Sequence, residues 1–143
     1  MPLSHLLRTY LFLIPLFVLL LSEITKACVG RLRTGNWHEH IFRQGGMPSS
    51  HSAFVTSLLI LIWRKLGATS IEFAIAMVFA SIVWYDAMNS RRTLGEQSKI
   101  LNRLQQWQHL AENVGHSTLE VLAGIGFGII ITSVGIWMSG QNW

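Results

Sequence analysis

Two short stretches of this sequence gather residues suited to proton transfer and nucleophilic attack. The first, Gly45-Gly46-Met47-Pro48-Ser49-Ser50-His51-Ser52-Ala53, runs from a flexible turn into an apolar segment. Proline is tolerated in the first turn of a helix and serine caps one. A helix start is therefore expected here, and its exposed amides and positive dipole end form a natural anion site. A plain capped helix start would account for Pro48-Ser49-Ser50 equally well. His51 adds an imidazole able to give or take a proton near neutral pH, as departure of an alkoxide from phosphorus requires. The second stretch, Gly115-His116-Ser117-Thr118-Leu119-Glu120, leads into another apolar segment. Positions four apart share a helix face, so Glu120 could accept a hydrogen bond from His116, fix its tautomer and leave the other nitrogen free to attack phosphorus. The alternative is a capping box, with Ser117 as N-cap and Glu120 reaching back to its amide.

The elements that must position these residues are those of a membrane protein. Of the 143 residues half are apolar and 13% charged, with six Trp and seven Phe, and the mean hydropathy is +0.40. That balance suits a bilayer, where apolar side chains face outward and aromatic rings collect at headgroup depth. The net charge of +4 suits anionic headgroups or phosphate. No nucleic-acid-binding motif accompanies it, so nucleic acid is excluded as a partner. Cys28 is the single cysteine, which rules out an intrachain disulfide. Arg8 and the apolar run that follows it resemble the start of a signal peptide, but Lys26 spoils the one candidate lipoprotein cleavage site, and the segment is expected to be retained.

Apolar segments at residues 10–24, 52–63, 71–85 and 119–138 predict about four transmembrane helices in one membrane-embedded domain covering residues 1–143. The first three are short for a hydrocarbon core of about 30 Å, which points to local thinning, homo-oligomerisation or mutual burial. Gly67 and Ser70 predict a tight turn joining the second and third helices as an antiparallel hairpin. Residues 95–115 are polar, with Ile100, Leu101, Leu104, Trp107, Leu110, Ala111 and Val114 at helical spacing. This predicts an amphipathic helix, lying in the interface or packed over the bundle. In an up-down bundle the ends of helices one and three share a face with the starts of helices two and four. Lys26, Arg31 and Arg33 then meet Ser49, Ser50, His51, Asp86, Arg91, Arg92, His116 and Glu120 at one membrane surface. Asp86 could orient an arginine or be a solvated carboxylate. His38, His40 and His109 lack partners at metal-ligand spacing, and Gly124 and Gly128 read as a helix-packing GxxxG.

Taken together, residues 45–124 resemble the divergent branch of the type 2 phosphatidic acid phosphatase (PAP2) family, which is related to vanadium haloperoxidases. Lys26 and Arg33 match the spacing of that family's first motif, with Thr34 replacing its proline. Pro48-Ser49-Ser50-His51 is similar to its Pro-Ser-Gly-His. Ser90-Arg91, then His116 with Glu120, resemble its third motif, although residues 93–115 intervene and glutamate replaces aspartate. The resemblance implies an all-α, PAP2-like membrane phosphatase that needs neither metal nor cofactor. Its substrate would be a phospholipid or polyprenyl phosphate. Lys26, Arg33, Arg91 or Arg92, and the Ser49 and Ser50 region would hold the phosphate. His116, oriented by Glu120, would form a phosphohistidine while His51 protonates the leaving oxygen. A bacterial inner membrane is implied, with the cation-rich face cytoplasmic by the positive-inside rule. A non-catalytic subunit that binds a lipid phosphate headgroup is the alternative suggested by the altered third motif.

Overall fold

The computed structural model describes residues 11–34, 46–105, 107–112 and 116–140. Within them the secondary structure is helical: α1 (Leu13–Thr34), α2 (Ser50–Leu66), α3 (Ile71–Tyr85), a π-helical turn (Asp86–Ser90), α4 (Arg91–Leu104) and α5 (Thr118–Ser139). The hairpin turn forms as expected. Gly67 sits at φ 82° and the Ser70 side chain accepts from the Phe73 amide.

Small residues dictate how these helices meet. α2 and α5 run parallel, and a Cβ at Gly124 would collide with the Ser49 carbonyl, while one at Gly128 would lie 2.6 Å from the Ala53 carbonyl oxygen. One turn further on, Thr132 Oγ1 donates to Ser57 Oγ at 2.7 Å, and beyond that Leu61 and Ile136 share an apolar cluster with Ile14 of α1. Each partner on α5 follows its α2 counterpart by the same sequence interval, so one four-residue ridge of each helix meets the other along its length. Lipid tails are as apolar as leucine, so such helices associate through close packing and interhelical hydrogen bonds, which small and hydroxylated residues provide. α3 packs on the far side of α2 through Ala76 and Ala80 against Val55 and Leu59, and turns Ile71, Ile75, Val78, Phe79 and Ile82 outward.

Three helical runs are long and apolar enough to cross a bilayer: Leu13–Leu32, Ile71–Leu104 and Thr118–Ser139. Of the about four transmembrane helices expected, three are thus long and apolar enough to span. At 17 residues, about 26 Å at 1.5 Å per residue, α2 is shorter, and it is enclosed by α1, α3 and α5. Its Ser52, Thr56 and Ser57 are buried among these neighbours, so α2 is polar where a lipid-facing helix could not be.

Two element boundaries differ from those expected. α1 runs on to Thr34 rather than stopping at residue 24, and Glu23 and Lys26 pair one turn apart along it. The polar residues mark where the apolar stretch ends, not the helix. The amphipathic helix begins at Arg91 and stops at Leu104, well short of residue 114. The Asn102 side chain ends it: Nδ2 donates to the Leu110 carbonyl, and Oδ1 accepts the Leu110 amide, both at 2.9 Å. A side-chain amide that copies backbone pairing offers the chain an alternative to the next helical turn. α4 continues α3 through the π turn as a single run and buries only Gly95.

Candidate active site

Two backbone hydrogen bonds tie the starts of α2 and α5 to the end of α3. The Ser49 amide donates to the Glu120 carbonyl at 3.1 Å, and the His116 amide donates to the Ala87 carbonyl at 3.0 Å. The fourth helix of the assembly is α1, whose Lys26 stem lies against Gly46; a Cβ there would meet Lys26 Cγ at 3.4 Å. Gly46 has φ 99°, a conformation that side chains rarely tolerate. The helix ends predicted to converge thus come together.

His116 is buried, and its Nδ1 lies 3.3 Å from Glu120 Oε2. The same oxygen accepts the Ser117 amide at 2.8 Å, and Ser117 Oγ accepts the Glu120 amide at 3.3 Å. The capping box and the histidine pair are therefore not alternatives. One carboxylate oxygen serves both and leaves Nε2 of His116 as the nitrogen directed away from Glu120. Burial pulls the His116 imidazole below the ordinary histidine pKa, Glu120 pulls it back up, and the positive charges of Lys26 and His51 pull it down.

Arg91 Nε donates to Asp86 Oδ2 at 2.9 Å. Residues five apart point in different directions on an α-helix, and the π turn between them, closed by the Arg91 amide donating to the Asp86 carbonyl, brings them together. Asp86 is thus paired with an arginine rather than solvated alone. The two neighbouring arginines also separate: Arg91 lies within electrostatic reach of His51, whereas the Arg92 side chain is 71% exposed and its Nε is 3.5 Å from Glu96. His51 sits on the exposed rim of α2, in reach of Glu23 and Lys26 as well.

Ser49 and Ser50 play different parts. Ser49 is fully buried as the α2 N-cap residue but makes no side-chain cap. Its Oγ instead accepts from Ser52 Oγ at 2.9 Å, and its amide is committed to Glu120. Ser50 Oγ is buried and lies beside the Glu23 carboxylate. Arg33 falls in the last turn of α1, seven residues beyond Lys26 and so nearly on its face, with its side chain outside the described residues. His38 and His40 also lie outside them, and His109 is exposed. Sequence reasoning missed Glu23, whose carboxylate meets Lys26 Nζ at 2.8 Å. Its signal was an acid one helical turn before a candidate phosphate-binding lysine, hidden by the assumption that the helix ended between them.

The family model described as "Divergent PAP2 family" matches residues 7–131. The chain belongs to that family. It is also similar to the uncharacterized membrane protein YuiD of Bacillus subtilis (strain 168), with 36% identity over 110 residues, covering 63% of this chain and 70% of the relative. No solved structure matches. A PAP2-like membrane protein is accordingly the setting for this cluster: a buried histidine with its carboxylate, a second histidine, and a lysine and an arginine each held by an acid.

Proposed function

We propose that the chain is a phosphatase for a lipid phosphate, acting on a phosphomonoester or pyrophosphate lipid such as phosphatidylglycerophosphate or polyprenyl phosphate. The observation that carries this reading is the pairing of a buried His116 with Glu120 at the start of α5, within electrostatic reach of Lys26 and of His51, which is itself in reach of Arg91. Nε2 of neutral His116 attacks phosphorus, forming an N–P bond as the bond to the lipid oxygen breaks. His51, protonated, gives its proton to that leaving oxygen. His51 then takes a proton from water, whose oxygen displaces His116 and releases phosphate. Lys26, Arg33 and Arg91 offset the oxygens' charge in a loose transition state, helped by the Ser50 hydroxyl and the first amides of α2, with Ser49 holding that helix start in place. Arg92 takes no part in this scheme.

The test is phosphate release from short-chain lipid phosphates by purified protein in detergent. Turnover should be lost in His116→Ala and retained in Arg92→Ala. Unchanged turnover in His116→Ala would sink the mechanism. Tight binding of lipid phosphate without turnover would favour a non-catalytic headgroup-binding subunit instead. The proposed location is a bacterial inner membrane with the site on the cytoplasmic side, supported by the excess of Lys and Arg expected on the site face over Arg8, Arg64 and Lys65 on the opposite one.

A further inference from the structure

Three acid–base pairs line this cluster, and they differ in what they leave for an incoming anion. Glu120 meets His116 at one ring nitrogen and leaves the other. Asp86 takes Arg91 through Nε, leaving the terminal nitrogens of the guanidinium. Glu23, by contrast, places both carboxylate oxygens on Lys26 Nζ, Oε2 at 2.8 Å and Oε1 at 3.0 Å. The Lys26 side chain is only 12% exposed while that of Glu23 is 40% exposed, so the carboxylate is the member of the pair that reaches solvent. Beside it lies the buried Ser50 hydroxyl, close enough to act on the Glu23 carboxylate, and His51 feels the Glu23 charge. Two oxygens on an ammonium, next to a hydroxyl donor and an imidazole, form the arrangement that two oxygens of a phosphate would adopt.

We infer that Glu23 is a resident counter-anion, which occupies Lys26 in the empty site and must yield it to an incoming phosphate. It therefore opposes phosphate binding rather than supporting it. Lys26 and Glu23 sit one helical turn apart on α1, so the carboxylate can swing off the ammonium by a change of its own side-chain torsions. Two anions on one ammonium repel, which makes Glu23 a threshold that only a well-held phosphate group passes. Arg91 and His51 supply the additional hold that the carboxylate lacks.

This inference rests on the phosphate-site reading above, and the test separates the two. Inorganic phosphate is titrated calorimetrically into purified full-length protein, and lipid phosphate turnover is measured on the same samples. Glu23→Gln keeps the shape of the side chain and removes its charge. It should bind inorganic phosphate about three- to tenfold more tightly than wild type, the range expected for releasing a partly exposed ion pair. KM for the lipid should fall with little change in kcat. Glu23→Ala should move the same way, and the gain should disappear in the double variant Glu23→Gln/Lys26→Ala. Wild-type turnover accompanied by equal or weaker phosphate binding in Glu23→Gln overturns this inference alone, because the carboxylate would then be a support that positions Lys26. Absence of turnover and of phosphate binding in both proteins overturns the phosphate-site reading, and this inference with it.

Discussion

At the scale of single residues, one oxygen atom carries the most consequence. Glu120 Oε2 both caps α5 and faces His116, so Glu120→Gln should damage activity and stability together. Loss of tautomer control should cost on the order of 10²–10⁴-fold in kcat, and the weakened cap about 1 kcal/mol, read from steady-state kinetics and denaturant melts. Because burial holds His116 below the ordinary histidine value against the upward pull of Glu120, the acid limb of kcat/KM should lie below about 6.5, the pKa of an unperturbed histidine. In Glu120→Gln that upward pull is gone, so the limb should move to still lower pH as the plateau falls; a limb that moves upward contradicts His116 as the group reported. Among the arginines, Arg91→Ala should raise KM roughly tenfold or more, whereas Arg92→Ala should stay within about twofold of wild type, as expected for an exposed ion pair. That contrast was beyond sequence reading. Adjacent arginines look equivalent until the π turn decides which one meets Asp86.

At the scale of elements, the α2–α5 contact determines whether the site exists. Alanine at Gly124 or Gly128 would have to displace backbone and should destabilise the fold by about 1–3 kcal/mol. Alanine at Gly126, where nothing lies within 4 Å, should be neutral or slightly stabilising because it only improves helix propensity. Equal losses at all three positions, followed as unfolding in detergent, would refute the packing described. The sequence made the GxxxG and the polar-to-apolar transitions at Pro48 and Ser117 legible, because each has a local cause. It did not reveal where α1 and α4 end. α1 continues past its apolar stretch through polar residues of its own, and α4 is stopped by Asn102 gripping Leu110, eight positions away, a partner that periodicity does not report.

At the scale of the whole molecule, hydropathy announced a helical membrane protein, and the shared face followed from an even alternation of helices. The unequal roles of those helices were less visible. α2 is short and rich in hydroxyls because α1, α3 and α5 enclose it, and burial by protein rather than lipid cannot be told from composition alone. The proposed cytoplasmic site face would put the turn at residues 67–70 and the end of α5 on the other side. A C-terminal alkaline phosphatase fusion in a bacterial host should therefore be active and a C-terminal green fluorescent fusion dark, and the reverse pattern would place the site outside. The parallel seam of α2 and α5 bears on one further matter. Its closest approaches fall at Gly124 and Gly128, where a Cβ would run into the Ser49 and Ala53 carbonyls. A slip of four residues, about 6 Å, would bring Thr132 or Glu120 to a place that admits no side chain. Packing therefore fixes the register, and the bond from the Ser49 amide to Glu120 and the hydroxyl pair of Ser57 and Thr132 reinforce it. The separation of the two histidines across the site is consequently gauged by two residues that have no side chain and would touch no phosphate.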